Sequence, residues 1–102
     1  MGPSYYVYIL ASRKNGTLYI GVTNSLQKRI WQHRNSSKSE FAHRYGVTNL
    51  VYFETFRSID NTIAREKQLK AGSRKKKIAV IESNNAKWLD LAADWYEDEE
   101  SK

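Results

Sequence analysis

The dipeptide Asn15-Gly16 stands between two runs that are apolar or aromatic at nearly every position, Tyr5-Tyr6-Val7-Tyr8-Ile9-Leu10 before it and Leu18-Tyr19-Ile20-Gly21-Val22 after it. Aromatic and β-branched residues suit a pleated, half-buried surface. Asn-Gly is the strongest short-range hairpin signal, because both central residues of a type I′ turn need positive φ. The chain is therefore expected to open with an antiparallel strand pair, its first strand central in the sheet and covered on both faces. A two-residue turn sets Ser12 opposite Tyr19, Leu10 opposite Gly21 and Tyr8 opposite Thr23. Tyr8, Tyr19 and Gly21 then share one face, with the phenols ~13 Å apart along the strands. Their rings meet only by leaning together or in another register, and a three-residue loop would send them to opposite faces.

The second strand leads straight into a helical pattern. Asn24 with Gln27 three positions later resembles a capping box, which starts a helix at Asn24 and carries it to about Asn35. Leu26 and Ile30 form its inward stripe, and Arg29 and His33, four apart, a neighbouring one. The segment from Asn35 to Thr48 is rich in Ser, His and Lys and is expected as a mobile loop. Leu50 to Phe56 reads as a third strand. A second helix is expected from Ser58 to Ala71, with Ile59, Ile63 and Leu69 inward and Gly72 as its stop. Ser73 suits the cap of a third helix carrying Ile78 and Ile81, and Asn84 or Asn85 that of a fourth carrying Trp88, Leu89 and Leu91. The order β-β-α-β-α-α-α defines an α+β class: a three-stranded antiparallel sheet flanked by helices. One domain is expected over residues 4–96, with an acidic, disordered tail over 97–102.

At 102 residues, with 40% apolar composition, seven Tyr and three Trp, the chain has material for one modest core. Charge is unevenly spread: up to Leu89 there are 16 Lys and Arg against 5 Asp and Glu, whereas Asp90 to Lys102 holds 6 acids and 1 Lys. A strongly basic body attracts polyanions, nucleic acid above all, although a charged face also serves solubility alone. With no cysteine, no run of ~18 apolar residues and no signal-peptide pattern, a cytoplasmic protein with no membrane partner is expected.

Several residues stand out chemically. Glycine inside a strand costs stability and often marks close approach by a ligand or another backbone, so Gly21 suggests an opening beside Tyr19. Arg29 and His33 together can grip a phosphate and move a proton, since a guanidinium forks phosphate oxygens and imidazole titrates near neutrality. Glu66 lies between Ile63 and Leu69 on the inward side of the second helix. A carboxylate there must pair with a cation such as Arg65 or Lys70, hold a metal, or stay protonated. A lone carboxylate would suit Mg²⁺ or Mn²⁺, which keep most of their waters. Lys67, Lys70, Arg74, Lys75, Lys76 and Lys77 form a basic patch able to neutralise several phosphates; a solvated helix face is the plainer reading. Trp31 and Trp88 can stack on bases or pack in the core. His43 has no evident partner, and Asn85 reads as a helix cap.

Tyr6-Val7-Tyr8, Tyr19-Ile20-Gly21, then Arg29 and His33, then Glu66 within Ala64-Arg65-Glu66-Lys67-Gln68-Leu69-Lys70, in this order, resemble the GIY-YIG nuclease superfamily. The resemblance covers roughly Ser4 to Leu91. The Ser73-Arg74-Lys75-Lys76-Lys77 and Asn85-Ala86-Lys87-Trp88 segments look like its small stand-alone bacterial branch, the URI-domain proteins. The resemblance implies a metal-dependent DNA endonuclease, in a repair or recombination setting. It implies that Glu66 holds one divalent cation, Mg²⁺ or Mn²⁺, that Arg29 steadies the phosphate, that Tyr8 or Tyr19 helps activate water, and that His33 accepts or orients the proton. The sequence departs from the family's pattern at Tyr6, where the motif opens on glycine, at Val22, where some members carry lysine, and at Gly72, where this branch usually has tryptophan. Two other readings share the fold: a nucleic-acid-binding module without turnover, and an adaptor docking on a repair protein.

Overall fold

The structure is a computed structural model that describes residues 2–35 and 45–96. His43, most of the loop expected before Thr48, and the tail from Glu97 lie outside the described residues. Three strands, β1 (Tyr5–Ala11), β2 (Leu18–Thr23) and β3 (Asn49–Phe56), form one antiparallel sheet in the order β2-β1-β3. Among the described residues three helices are set out: α1 (Leu26–Asn35), α2 (Ile59–Ala71) and α3 (Arg74–Asn84). The α+β architecture is the one expected, with β1 central. Among the described residues no helix is long and apolar enough to cross a membrane.

The hairpin differs from the tight turn that Asn-Gly suggests. Asn15 takes positive φ (59°) but Gly16 does not, and the connection spans Ser12 to Thr17. Ser12 N–H donates to the Thr17 carbonyl at 3.0 Å, Gly16 N–H to the Arg13 carbonyl at 2.9 Å, and Thr17 N–H to Ser12 Oγ at 3.0 Å. A wider turn moves the pairing by two residues: Tyr8 stands opposite Gly21 and Leu10 opposite Tyr19. Because side chains alternate with period two, the shift leaves both phenols on one face. It makes them diagonal neighbours.

Alternation along β1 then builds two cores. Val7, Ile9 and Ala11 point to one face and meet Ile20, Val51, Leu69 of α2, Ile81 of α3 and Trp88. Tyr8 and Leu10 point to the other, where Leu26 and Ile30 of α1, Val47, Leu50 and Ala92 cover them. Val47 is fully buried, so the end of the expected loop belongs to the core.

Helix α1 starts at Leu26, with Arg29 N–H bonded to the Ser25 carbonyl, rather than at Asn24. Helix α2 starts close to the expected Ser58, which caps it, but its buried positions are Thr62 and Leu69; Ile59 and Ile63 are 41% and 38% exposed. The inward stripe is turned from the one expected. Thr62 tolerates burial because its hydroxyl donates to the Ser58 carbonyl at 2.6 Å. Helix α3 follows expectation, with Ser73 as its cap and Ile81 buried.

The fourth helix is absent, and turns occupy Ala86 to Tyr96 apart from a short irregular stretch. Asn85 is the reason. It ends α3 as its C-terminal cap, and its side chain donates to the carbonyls of Val51 (3.0 Å) and Leu89 (2.8 Å) while accepting from Leu89 N–H at 2.9 Å. Those bonds, with Trp88 at φ 58°, hold a turn that a helix could not accommodate. The segment wraps the edge of β3, placing buried Trp88 in one core and Ala92 in the other. Leu91 N–H donates to the Leu50 carbonyl at 2.7 Å, and Leu50 N–H to Asp90 at 3.1 Å. A register irregularity opposite Ile9 and Leu10 lies at this point, and the wrap supplies partners to backbone that the bulge frees. Arg34, donating to both Asp90 carboxylate oxygens at 2.7 Å and to the Thr48 carbonyl at 3.1 Å, ties the wrap to α1.

Candidate active site

On the α1 face of the sheet, β1 brings Tyr8 and β2 brings Tyr19 to neighbouring positions, their ring centroids 6.2 Å apart. Leu26 and Ile30 seat α1 across this face, which aims the adjacent stripe of Arg29 and His33 at the phenols. Tyr8 Oη lies 2.8 Å from His33 Nε2, and the imidazole stacks edge-on to both rings, 5.6 Å from Tyr8 and 5.2 Å from Tyr19. The Arg29 guanidinium is close enough to both phenols for each to hold its charge in place, Tyr8 foremost. Its Nη1 donates to Gln32 Oε1 at 3.3 Å. Gln32 is a support that the sequence reading missed; its place three residues after Arg29 on a helix was the available signal.

Gly21 makes this packing possible. A methyl group at its position would sit 2.5 Å from Tyr8 Oη and 2.6 Å from Cζ. The open spot beside Tyr19 is thus filled by the phenol of Tyr8, directly across the strand pair.

Burial pushes the Tyr8 phenol up to about 12, against the pull of Arg29. Burial first, and then the charge of Arg29, push His33 down to about 4. Both groups are neutral at pH 7. A neutral imidazole offers one donor and one acceptor, so the 2.8 Å contact joins the phenol to Nε2 in either sense. The site is a neutral relay next to a fixed positive charge.

A depressed histidine pKa stabilises the fold above the unfolded value near 6.5, and this stabilisation drains away as pH falls through about 4. The loss should be on the order of 3 kcal/mol. Urea midpoints measured from pH 7 to pH 4 should fall more steeply for the parent protein than for His33→Gln.

Glu66, on α2, pairs with Lys70 at 3.1 Å, while Arg65 donates instead to Glu54. The glutamate side chain is 20% exposed and that of Lys70 54%. Lys70 and Lys77 line a cleft of about 240 Å³ together with Leu18, Tyr19 and Ile20 of β2. Among the described residues no three His, Asp or Glu side chains cluster in a way that would cage a metal. The donor set on offer is one partly sheltered carboxylate, which fits a hydrated Mg²⁺ or Mn²⁺ taking its other ligands from water and phosphate.

Of the basic patch, Lys67, Lys75 and Lys76 are exposed and Lys77 half-buried. Arg74 is exposed too, yet its Nη2 donates to the carbonyls of Asn15 (2.7 Å) and Gly16 (2.6 Å), tying α3 to the hairpin. Trp31 is 42% exposed, whereas Trp88 is buried and donates to Glu82.

Two phenols, an imidazole and a guanidinium gather on one face of the three-stranded sheet of a small α+β domain. The chain belongs to the GIY-YIG nuclease family: the model of the GIY-YIG catalytic domain matches residues 4–79. It is similar to bacterial proteins named UPF0213. One, from Clostridium perfringens, is 39% identical over 80% of this chain and 87% of its own length. Another, from Staphylococcus saprophyticus, is 34% identical over 76% of this chain and 93% of its own. A third, from Syntrophus aciditrophicus, is 36% identical over 78% and 91%. No solved structure matches the chain.

Proposed function

We propose that this nuclease-family protein is a divalent-metal-dependent DNA endonuclease that hydrolyses phosphodiester bonds in one step. The observation that carries the reading is the 2.8 Å contact between Tyr8 Oη and His33 Nε2, with the charge of Arg29 beside the same phenol. In this reading the phenol oxygen of Tyr8 accepts the proton of the attacking water as its own proton passes to Nε2. Tyr19 positions that water from the adjacent strand. Arg29 turns to the scissile phosphate, and partial neutralisation of its charge raises the proton affinity of His33 when it is needed. A cation held by Glu66 supplies Lewis-acid stabilisation of the phosphate and the leaving oxygen.

Incubation with single-stranded, duplex and branched DNA tests this. Cleavage should require Mg²⁺ or Mn²⁺, stop on addition of a chelator, and be lost in Glu66→Ala. Cleavage by Glu66→Ala at the parent's rate would refute the assignment of the metal ligand.

Lys67, Lys75, Lys76 and Lys77 would then serve affinity rather than chemistry. Among the described residues no base-reading element is evident, and binding is expected to follow phosphate and shape. Binding should weaken steeply with salt, and Lys75→Ala and Lys76→Ala should each lower the slope of log affinity against log salt by about 1. Slopes equal to the parent's would place the patch outside the DNA path.

A further inference from the structure

Lys70 stands at the junction of two features. Its ammonium is 3.1 Å from Glu66, and its side chain also lines the cleft that holds Tyr19 and Lys77. We propose that Lys70 is an exchangeable counter-ion: it neutralises Glu66 in the cation-free protein and, once a divalent cation takes its place, becomes a ligand for the substrate phosphate in the cleft beside Tyr19. The inference rests on Glu66 being the ligand of the cation and assigns a task to a neighbour of that site.

The asymmetry of the pair supports this. Glu66 is the more sheltered partner, and a partly sheltered carboxylate is favoured by a positive charge beside it. Lys70 is the exposed partner, on a flexible four-carbon stem that lets it leave without disturbing the helix. Glutamate four residues before lysine is the favourable order on a helix, so the pair forms without strain. Exposed pairs of this kind are weak enough to exchange. A doubly charged ion at Glu66 would repel the ammonium as well as replace it. The cleft is the nearby destination, with Lys77 already positioned to share an anion and Tyr19 at its wall.

Occupation of Glu66 and readiness for phosphate thereby become linked. In the absence of the cation, Lys70 is spent on the acid. In its presence, two ammonium groups face the cleft. Lys70 competes with the cation for Glu66 and, once displaced, is a ligand of the phosphate.

Binding of Mn²⁺ to the full chain, without DNA, separates the possibilities through the relaxation of water protons. Binding should depend on Glu66, being lost in Glu66→Gln, and should tighten roughly fivefold in Lys70→Met, the scale set by an exposed ion pair. The ¹³C signal of the Lys70 ε-carbon should move on Mg²⁺ titration in the parent protein and stay still in Glu66→Gln. Binding that requires Glu66 but is indifferent to Lys70→Met, with a static Lys70 signal, would overturn the exchange and leave the metal reading intact. Mn²⁺ binding that ignores Glu66 in every variant would remove both. Folding of each variant is checked by its thermal transition, and Lys70→Arg, which keeps the charge, should hold the parent's Mn²⁺ affinity.

Discussion

Gly21→Ala is expected to lower DNA cleavage by about 10² or more while the protein still folds. The added methyl group meets Tyr8 at 2.5 Å from Oη and 2.6 Å from Cζ, and these atoms end a ring packed in the core with no room to retreat. The ring must turn or β2 must move away from β1. Either change breaks the 2.8 Å contact with His33 Nε2. Overpacking of this kind costs about 1–3 kcal/mol, and removal of a proton-transfer group costs about 10²–10⁴ in rate. Tyr8→Phe should show the same kinetic loss, because it leaves the ring in place and deletes only the oxygen. The double variant should cleave no more slowly than Tyr8→Phe alone, since both act through one phenol. Rates on one DNA substrate for the three variants check this. Parental activity in Gly21→Ala would mean that the phenol position has no part in the reaction.

Asn85→Ala should cost about 3 kcal/mol of stability, a large share of the total for a domain of this size. Three side-chain bonds disappear at once: those to the carbonyls of Val51 and Leu89, and that from Leu89 N–H. The residue is buried, so water does not simply replace them. At roughly 4–8 °C per kcal/mol for a domain near 100 residues, the melting temperature should drop by at least 10 °C. Asn85→Asp should also destabilise, since a carboxylate cannot donate to the Val51 and Leu89 carbonyls. Calorimetry or circular dichroism on the two variants reads this directly; a shift under 2 °C for Asn85→Ala would mean that the C-terminal wrap contributes little.

These two residues also mark where reading the chain succeeds and where it stops. Gly21 was legible: a glycine in an otherwise β-forming run announces close approach, and the period of two put it on the face of Tyr8 and Tyr19. What approaches it was not legible, because register depends on how Ser12 to Thr17 closes, and Ser12 Oγ binding Thr17 N–H is a contact between residues five apart. Asn85 was legible as a cap and misplaced as to function. It ends the helix before it instead of starting another, because its partners include Val51, thirty-four residues away on β3. The inward stripe of α2 failed for a similar reason. Ile59 and Ile63 have the right chemistry for a core, but the sheet accepts the side of the helix that carries Thr62 and Leu69.

Local spacing alone determined the strand pair, the first three of the four helices expected, the common face of the phenols and the stripe of Arg29 with His33, because each of these follows from the period of two in a strand or of 3.6 in a helix. Only the tertiary structure decided that Tyr8, rather than Tyr19, holds Nε2 of His33, that Lys70 and not Arg65 pairs with Glu66, that Arg74 is tied to the hairpin, and that the chain after Asn85 wraps an edge strand instead of coiling. Three of those depend on groups distant in the chain meeting, and the pairing of Glu66 depends on Arg65 being drawn to Glu54; no periodicity along the chain records that competition.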